Sequence, residues 1–95
     1  MAKSKIIWSN RAIKRLYAIF EFHISKNGNK AYPKALYKAL RSDLKLLGKY
    51  PDLGLKTNYK LVRAFPVNDM ILFYEPGKKG IIIHTLRNNN LKSIK

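Results

Sequence analysis

Three short apolar runs, Leu61–Val67, Met70–Tyr74 and Ile81–Leu86, lie close together between Lys56 and Asn90. Two compact breaks separate them, Asn68-Asp69 and Glu75–Gly80. Runs of this length, rich in Val, Ile, Phe and Tyr and bounded by Asn, Asp, Pro and Gly, read as β-strands. A two-residue break such as Asn68-Asp69 leaves room only for a tight hairpin, so the strands are antiparallel neighbours. Side chains alternate across a strand. In the first run Tyr59, Leu61, Arg63 and Phe65 share one face, and Lys60, Val62, Ala64 and Pro66 the other. In the third, Ile81, Ile83, Thr85 and Arg87 alternate with Ile82, His84 and Leu86, which puts His84 and Arg87 on opposite faces. Both faces are apolar near the middle, so the sheet is expected to be covered well on one side and partly on the other, the second cover being the Leu91–Ile94 segment. Pro66 has no N–H for a ladder and belongs at a strand end, bulge or edge.

The preceding half supplies the cover. Lys5–Trp8 is a short apolar strand, and Ser9 or Asn10 caps the helix behind it. From Arg11 the apolar positions Ala12, Ile13, Leu16, Tyr17, Phe20 and Ile24 recur at steps near three and four, one stripe of a helix. Asn27-Gly28-Asn29 ends that helix near Lys26. Pro33 is tolerable only in a first turn, so a second helix begins near Ala31–Pro33, with Ala35, Leu36, Ala39, Leu40, Leu44 and Leu47 as its stripe. Gly48 suits the C′ position, and Pro51 prevents continuation. The short turn between them makes an antiparallel helical hairpin, with Ala31, Ala35 and Ala39 allowing close approach. Lys34, Lys38, Arg41 and Lys45 fall on its opposite face, which reads as a solvated row or as a nucleic-acid contact. Leu53 and Leu55 are expected to anchor a loop into the core. The order is β-α-α-β-β-β, an α+β class with the helical hairpin packed on a twisted, mainly antiparallel sheet. Residues 1–95 are expected to form a single domain.

Composition narrows the partners. Twenty Lys and Arg against five Asp and Glu give a net charge of +15, of which +10 lies in the first fifty residues. Such charge opposes compaction and favours an anionic partner, nucleic acid or acidic protein. There is no Cys, which removes disulfides and thiolate-bound zinc and fits a reducing, cytoplasmic setting. No run approaches the ~18 apolar residues of a membrane span, and MAKSKIIWS lacks a signal-peptide core.

No nucleotide-binding glycine motif is present; Glu75-Pro76-Gly77-Lys78-Lys79-Gly80 has the spacing of a hairpin turn. His23 and His84 have no clustered second ligand type, so no metal and no cofactor is expected. The polar groups able to converge on a target are Lys56, Lys60, Arg63, Tyr74, Glu75, Arg87 and the Asn88–Asn90 run, Asn89 included. Arg63 and Arg87 read either as phosphate contacts or as sheet-surface charge paired, for example, with Glu75. Cleavage of RNA through its 2′-hydroxyl needs a base, phosphorane-stabilising cations and an acid. The cations are plentiful, and an evident acid–base pair is absent.

Several segments resemble the RelE/ParE superfamily of toxins from type II toxin–antitoxin modules. Ile7-Trp8-Ser9 followed by Ala12 is similar to the family's hydrophobic-Trp-Ser/Thr-x-x-Ala opening. Tyr50-Pro51-Asp52-Leu53-Gly54 with Lys56-Thr57 resembles its Phe/Tyr-Pro-x-x-Gly loop, Arg63 falls in the strand that commonly carries an Arg, and Phe73-Tyr74-Glu75 and Arg87-Asn88-Asn89 match its later strands. The resemblance spans about residues 5–92. It implies growth inhibition and plasmid stabilisation, with neutralisation by a cognate antitoxin carrying an acidic, amphipathic segment. RelE-like members cleave mRNA on the ribosome; ParE-like members act on DNA gyrase. Met70 and Ile71 stand where RelE-like members carry an Arg, and only Arg87 remains at the basic end of the last strand, which favours the ParE-like branch. Under the enzyme alternative Arg87 and Arg63 are the catalytic candidates, with Lys56, Lys60, Tyr74 and Asn89 as further contacts. A basic nucleic-acid-binding domain without toxic activity is the remaining alternative.

Overall fold

The computed structural model of the chain describes residues 5–88. In chain order it has β1 (Ile6–Trp8), α1 (Asn10–Asn27), α2 (Ala31–Lys49), β2 (Leu55–Lys56), β3 (Arg63–Val67), β4 (Met70–Pro76) and β5 (Ile81–Asn88). The strands form one sheet in the order β1-β5-β4-β3-β2. β1 runs parallel to β5, and all other pairs are antiparallel. The α+β architecture expected from the sequence is present, with the extra two-residue strand β2 at the far edge.

Local chemistry explains the element ends. Ser9 Oγ accepts from the Ala12 N–H at 3.0 Å, making Ser9 the N-cap of α1. Gly28, at φ 73°, closes α1 in the left-handed region and returns its N–H to the Ile24 carbonyl. Asn68, at φ 52°, sits in the two-residue turn between β3 and β4. Pro33 lies in the first turn of α2, where its missing N–H costs nothing. Gly48 does not end α2. It is buried inside the helix, which runs on to Lys49 until Pro51 forbids another turn.

The core is the layer between the helices and one sheet face. α1 contributes Ala12, Leu16 and Ile19; α2 contributes Leu36, Leu40, Leu44 and Leu47; the sheet contributes Val67, Met70, Leu72, Tyr74, Ile81, Ile83 and Leu86. Each fully buried leucine is worth about 1.5–3 kcal/mol against exposure, so the four α2 leucines are a major part of what holds that helix on the sheet. The stripe on α1 is narrower than its sequence pattern: Ile13 and Tyr17 are exposed. Leu53 and Leu55 do not anchor the core. Leu55 is 72% exposed because β2 is an edge strand of only two residues, and neither of its positions is covered. Ala31 and Ala35 are also exposed rather than set between the helices. The proposed Leu91–Ile94 cover lies outside the described residues.

Candidate functional site

The sheet face turned away from the helices carries the site, and a bulge in β5 decides what it displays. Ile83 pairs with Tyr74, but Thr85 pairs with Phe73, so His84 is an extra residue in the ladder. Parity changes there. Ile81, Ile83 and Leu86 point into the core, a spacing of two then three. His84, Thr85 and Arg87 consequently line one basin together with Phe73. This corrects the simple alternation that separated His84 from Arg87.

β1 stops at Trp8 and α1 takes over the edge of β5. The Ser9 N–H donates to the Ile83 carbonyl at 3.1 Å, and its hydroxyl donates to the His84 carbonyl at 3.0 Å. Two turns on, Arg15 Nε donates to the Leu86 carbonyl at 3.2 Å. One capping serine thus ties the start of α1 to the bulge and brings Arg11 and Arg15 beside Arg87. The basin they share holds about 680 Å³ and is completed by Tyr59 and Val62. α1 has no acidic residue in its first turn. Its N-terminal dipole therefore adds to the guanidinium charge instead of being neutralised. None of the five acidic side chains lines the basin.

His84 has a partner: its Nε2 lies 2.9 Å from Glu75 Oε1. A carboxylate holding an imidazole in place is the arrangement that orients a general base or acid. This imidazole–carboxylate pair lies on the same sheet face as Arg87, and both side chains are partly open to solvent.

Arg63 and Tyr74 have other duties. Arg63 Nη1 donates to the Gly54 carbonyl at 2.7 Å and the Asp52 carbonyl at 3.2 Å, and Nη2 lies 3.8 Å from Asp52 Oδ1. Its side chain is 21% exposed and its ion-pair partner is Asp52, not Glu75. Tyr74 is 0% exposed. Its hydroxyl accepts from the Gly54 N–H at 2.8 Å and donates to the Pro51 carbonyl at 2.7 Å. Burial raises its pKa above 10.0, opposed in part by the Gly54 N–H and the Arg63 charge. Tyr74 is thus corrected from a target contact to a buried anchor of the 51–54 loop, with Arg63 as the second clamp. Lys56 lies exposed on β2 and Lys60 in the exposed loop before β3. Asn89 lies outside the described residues.

Arg11, Arg15, Tyr59 and the Glu75–His84 pair were not picked out as a site from the sequence. The signals were present: Arg11 and Arg15 are four apart on one helical face, and core-type residues at 81, 83 and 86 break a period of two. Among the described residues no group of three His, Cys, Asp or Glu is placed to hold a metal ion, and no helix is long and apolar enough to cross a membrane.

No curated protein sequence matches this chain. A solved structure of the chromosomal ParDE toxin–antitoxin system from P. aeruginosa superposes with a TM-score of 0.76 at 18% identity, covering 90% of this chain and 96% of that one, which is a likeness of fold. The model of the ParE toxin family, toxins of the type II toxin–antitoxin system parDE, matches residues 6–89. The chain therefore belongs to the ParE toxin family of type II toxin–antitoxin systems, and a cognate antitoxin is its implied partner.

Proposed function

We propose that this chain arrests growth by binding DNA gyrase through the open sheet face, and that its antitoxin prevents this. The observation that carries the reading is the family match across residues 6–89. The geometry supports binding over cleavage in one respect: Arg63 and Tyr74, two of the side chains a nuclease would be expected to use, are tied to the 51–54 loop. Arg11, Arg15 and Arg87 supply a cationic surface, and exposed Tyr59 supplies an aromatic contact at its border.

A second reading, cleavage of mRNA on the ribosome, is supported by the Glu75–His84 pair. The imidazole would take the 2′-hydroxyl proton, the hydroxyl oxygen would attack the adjacent phosphorus, and the three guanidinium groups would stabilise the phosphorane. The 5′ oxygen would leave with a proton returned to it. Inducing the chain in cells separates the two. Gyrase binding predicts intact mRNA, stalled replication and a DNA-damage response. Rapid translational arrest with cut mRNA refutes it in favour of cleavage, and normal growth refutes both. Arg87→Ala should weaken either activity; His84→Gln should abolish cleavage but reduce gyrase binding only slightly.

A further inference from the structure

The basin on the open sheet face gathers charge that the rest of the molecule leaves unbalanced. Arg11, Arg15 and Arg87 all line it. Among the described residues the ion pairs are Arg63 with Asp52 and His84 with Glu75, so none of these three guanidinium groups has a carboxylate partner. Like charges set closer than a Debye length, ~10 Å at 0.1 M salt, repel one another, and an anion between them relieves that repulsion. Arg11 and Arg15 stand one helical turn apart, about 6 Å along α1. Arg15 is also held in place, because its Nε donates to the Leu86 carbonyl at 3.2 Å. Its Nη groups make no hydrogen bond among the described residues and are left for a ligand.

Two aromatic rings border the same cavity. Phe73 lies in β4 between Ala64 and Thr85 and lines the basin from the sheet. Tyr59 lines it from the loop before β3 and is 75% exposed, yet its backbone is fixed. Thr57 Oγ1 accepts from the Tyr59 N–H at 3.1 Å and donates to the Val62 carbonyl at 2.9 Å, and the Val62 N–H donates to the Tyr59 carbonyl at 3.0 Å. A ring presented by an ordered loop loses little freedom when something stacks on it. The volume, about 680 Å³, falls among clefts that take small ligands, ~300–1,000 Å³.

We infer that this basin binds a nucleoside polyphosphate, with the phosphates on Arg11, Arg15 and Arg87 and the base stacked against Tyr59 and Phe73. Guanidinium forks match phosphate oxygens two at a time. An extended peptide spaces the carboxylates of one side about 7 Å apart. A polyphosphate instead concentrates several charges on adjacent phosphorus centres, which suits three guanidinium groups around one cavity. The rings then favour a nucleotide over an inorganic anion, because a base has a face to stack and an inorganic anion has none. The inference goes beyond both readings of how the toxin acts. A nucleotide in the basin covers the surface through which either reading has the toxin meet its target, so the activity becomes responsive to a small molecule.

The test titrates the whole chain with ATP and, in parallel, GTP, without divalent cations, and follows the backbone amides by NMR. Tripolyphosphate supplies the charge without a base, adenosine a base without charge, and the trinucleotide ApApA without terminal phosphates a short strand. At least one of the two nucleotides should bind at least about tenfold more tightly than tripolyphosphate, and adenosine should bind more weakly than either. The shifts should centre on Tyr59, Phe73, Thr85 and Arg87. Arg11→Ala and Arg87→Ala, both at exposed positions, should each weaken the better nucleotide at least about fivefold, whereas Lys78→Ala/Lys79→Ala in the exposed turn before β5 should weaken it less than about twofold. Tyr59→Ala should bring the nucleotide to within about threefold of tripolyphosphate, and Tyr59→Phe should keep the full difference. Circular dichroism melts establish that the variants fold. Equal binding of tripolyphosphate means an adventitious ion only and overturns the inference. Tighter binding of ApApA, which makes the basin a strand site, overturns it too, as do shifts centred on the Lys34–Lys45 row of α2, equal losses in the arginine and lysine variants, or an unchanged preference in Tyr59→Ala. No gyrase, ribosome or antitoxin enters the measurement. A negative result therefore leaves the reading of toxin action standing, and a chain that fails to arrest growth leaves the nucleotide result standing.

Discussion

Replacing Tyr74 by phenylalanine removes one oxygen atom from the best-buried aromatic side chain of the protein. That oxygen accepts from the buried Gly54 N–H and donates to the Pro51 carbonyl. Each intramolecular hydrogen bond contributes about 1 kcal/mol net, and a buried N–H left without a partner costs about 1–3 kcal/mol. The Pro51 carbonyl is only half-buried and regains water, so the expected loss is about 2–4 kcal/mol. A domain of this size shifts its midpoint by roughly 4–8 °C per kcal/mol, so thermal unfolding should move down by roughly 10–30 °C. Calorimetry or circular dichroism reads the shift. Tyr59→Phe is the control: Tyr59 is 75% exposed and should stay within about 0.5 kcal/mol of wild type. Arg63 holds the same loop through the Gly54 carbonyl, so Arg63→Ala and Tyr74→Phe should combine to less than the sum of their separate costs. A Tyr74→Phe midpoint within about 3 °C of wild type, or strict additivity with Arg63→Ala, would refute the view that the 51–54 loop is fixed from beneath.

A Cβ at Gly54 would stand 2.7 Å from the Tyr74 ring edge and hydroxyl and 3.0 Å from the Ala64 carbonyl, so Gly54→Ala should cost about 1–3 kcal/mol, read from the urea midpoint. Tyr32, which donates to Asp69 Oδ2 at 3.0 Å, has its pKa pushed up to about 12, first by burial and then by the Asp69 hydrogen bond and charge. The folded phenol keeps its proton where the unfolded one releases it, so this contribution is complete below about pH 10 and falls away as the pH rises toward 12. Melting curves between pH 9 and 12 should decline less steeply for Tyr32→Phe; an identical decline would contradict the assignment. Arg11→Glu places an acid in the first turn of α1, which should stabilise the protein by about 0.3–1 kcal/mol while weakening growth inhibition. A variant both less stable and fully toxic would contradict the placement of Arg11 in the basin.

The elements that local rules determine were legible in the sequence. Ser9 as a cap, Gly28 as a left-handed stop, Pro33 in a first turn and Asn68-Asp69 as a hairpin each depend on a few neighbouring residues, and each is where the sequence puts it. Tertiary competition decided the rest. Leu53 and Leu55 look like core residues by type, but Leu53 stands in the loop before β2 and Leu55 in a two-residue edge strand, and both are exposed. Ile13 and Tyr17 extend the apolar pattern of α1, but the core takes Ala12, Leu16 and Ile19, with Phe20 packed against them, and leaves Ile13 and Tyr17 exposed. Arg63 and Tyr74 read as target contacts because their chemistry suits one. Their partners are backbone carbonyls and an N–H nine to twenty-three residues away, and nothing in a backbone group distinguishes it along the sequence. The meeting of His84 and Arg87 on one face was hidden for a different reason, since a plain period of two runs straight through the bulge at position 84.

The bulge bears on how related chains align. A strand without a bulge is read in one frame; β5 is read in two, before and after His84. Deleting a single residue there would exchange the sides of everything downstream, sending Arg87 toward the helices and Leu86 out to solvent. Two family members can therefore carry the same final Arg in the last strand and present it to different surroundings. The number of residues between the core isoleucines and that Arg, rather than the Arg itself, indicates which chains share this face.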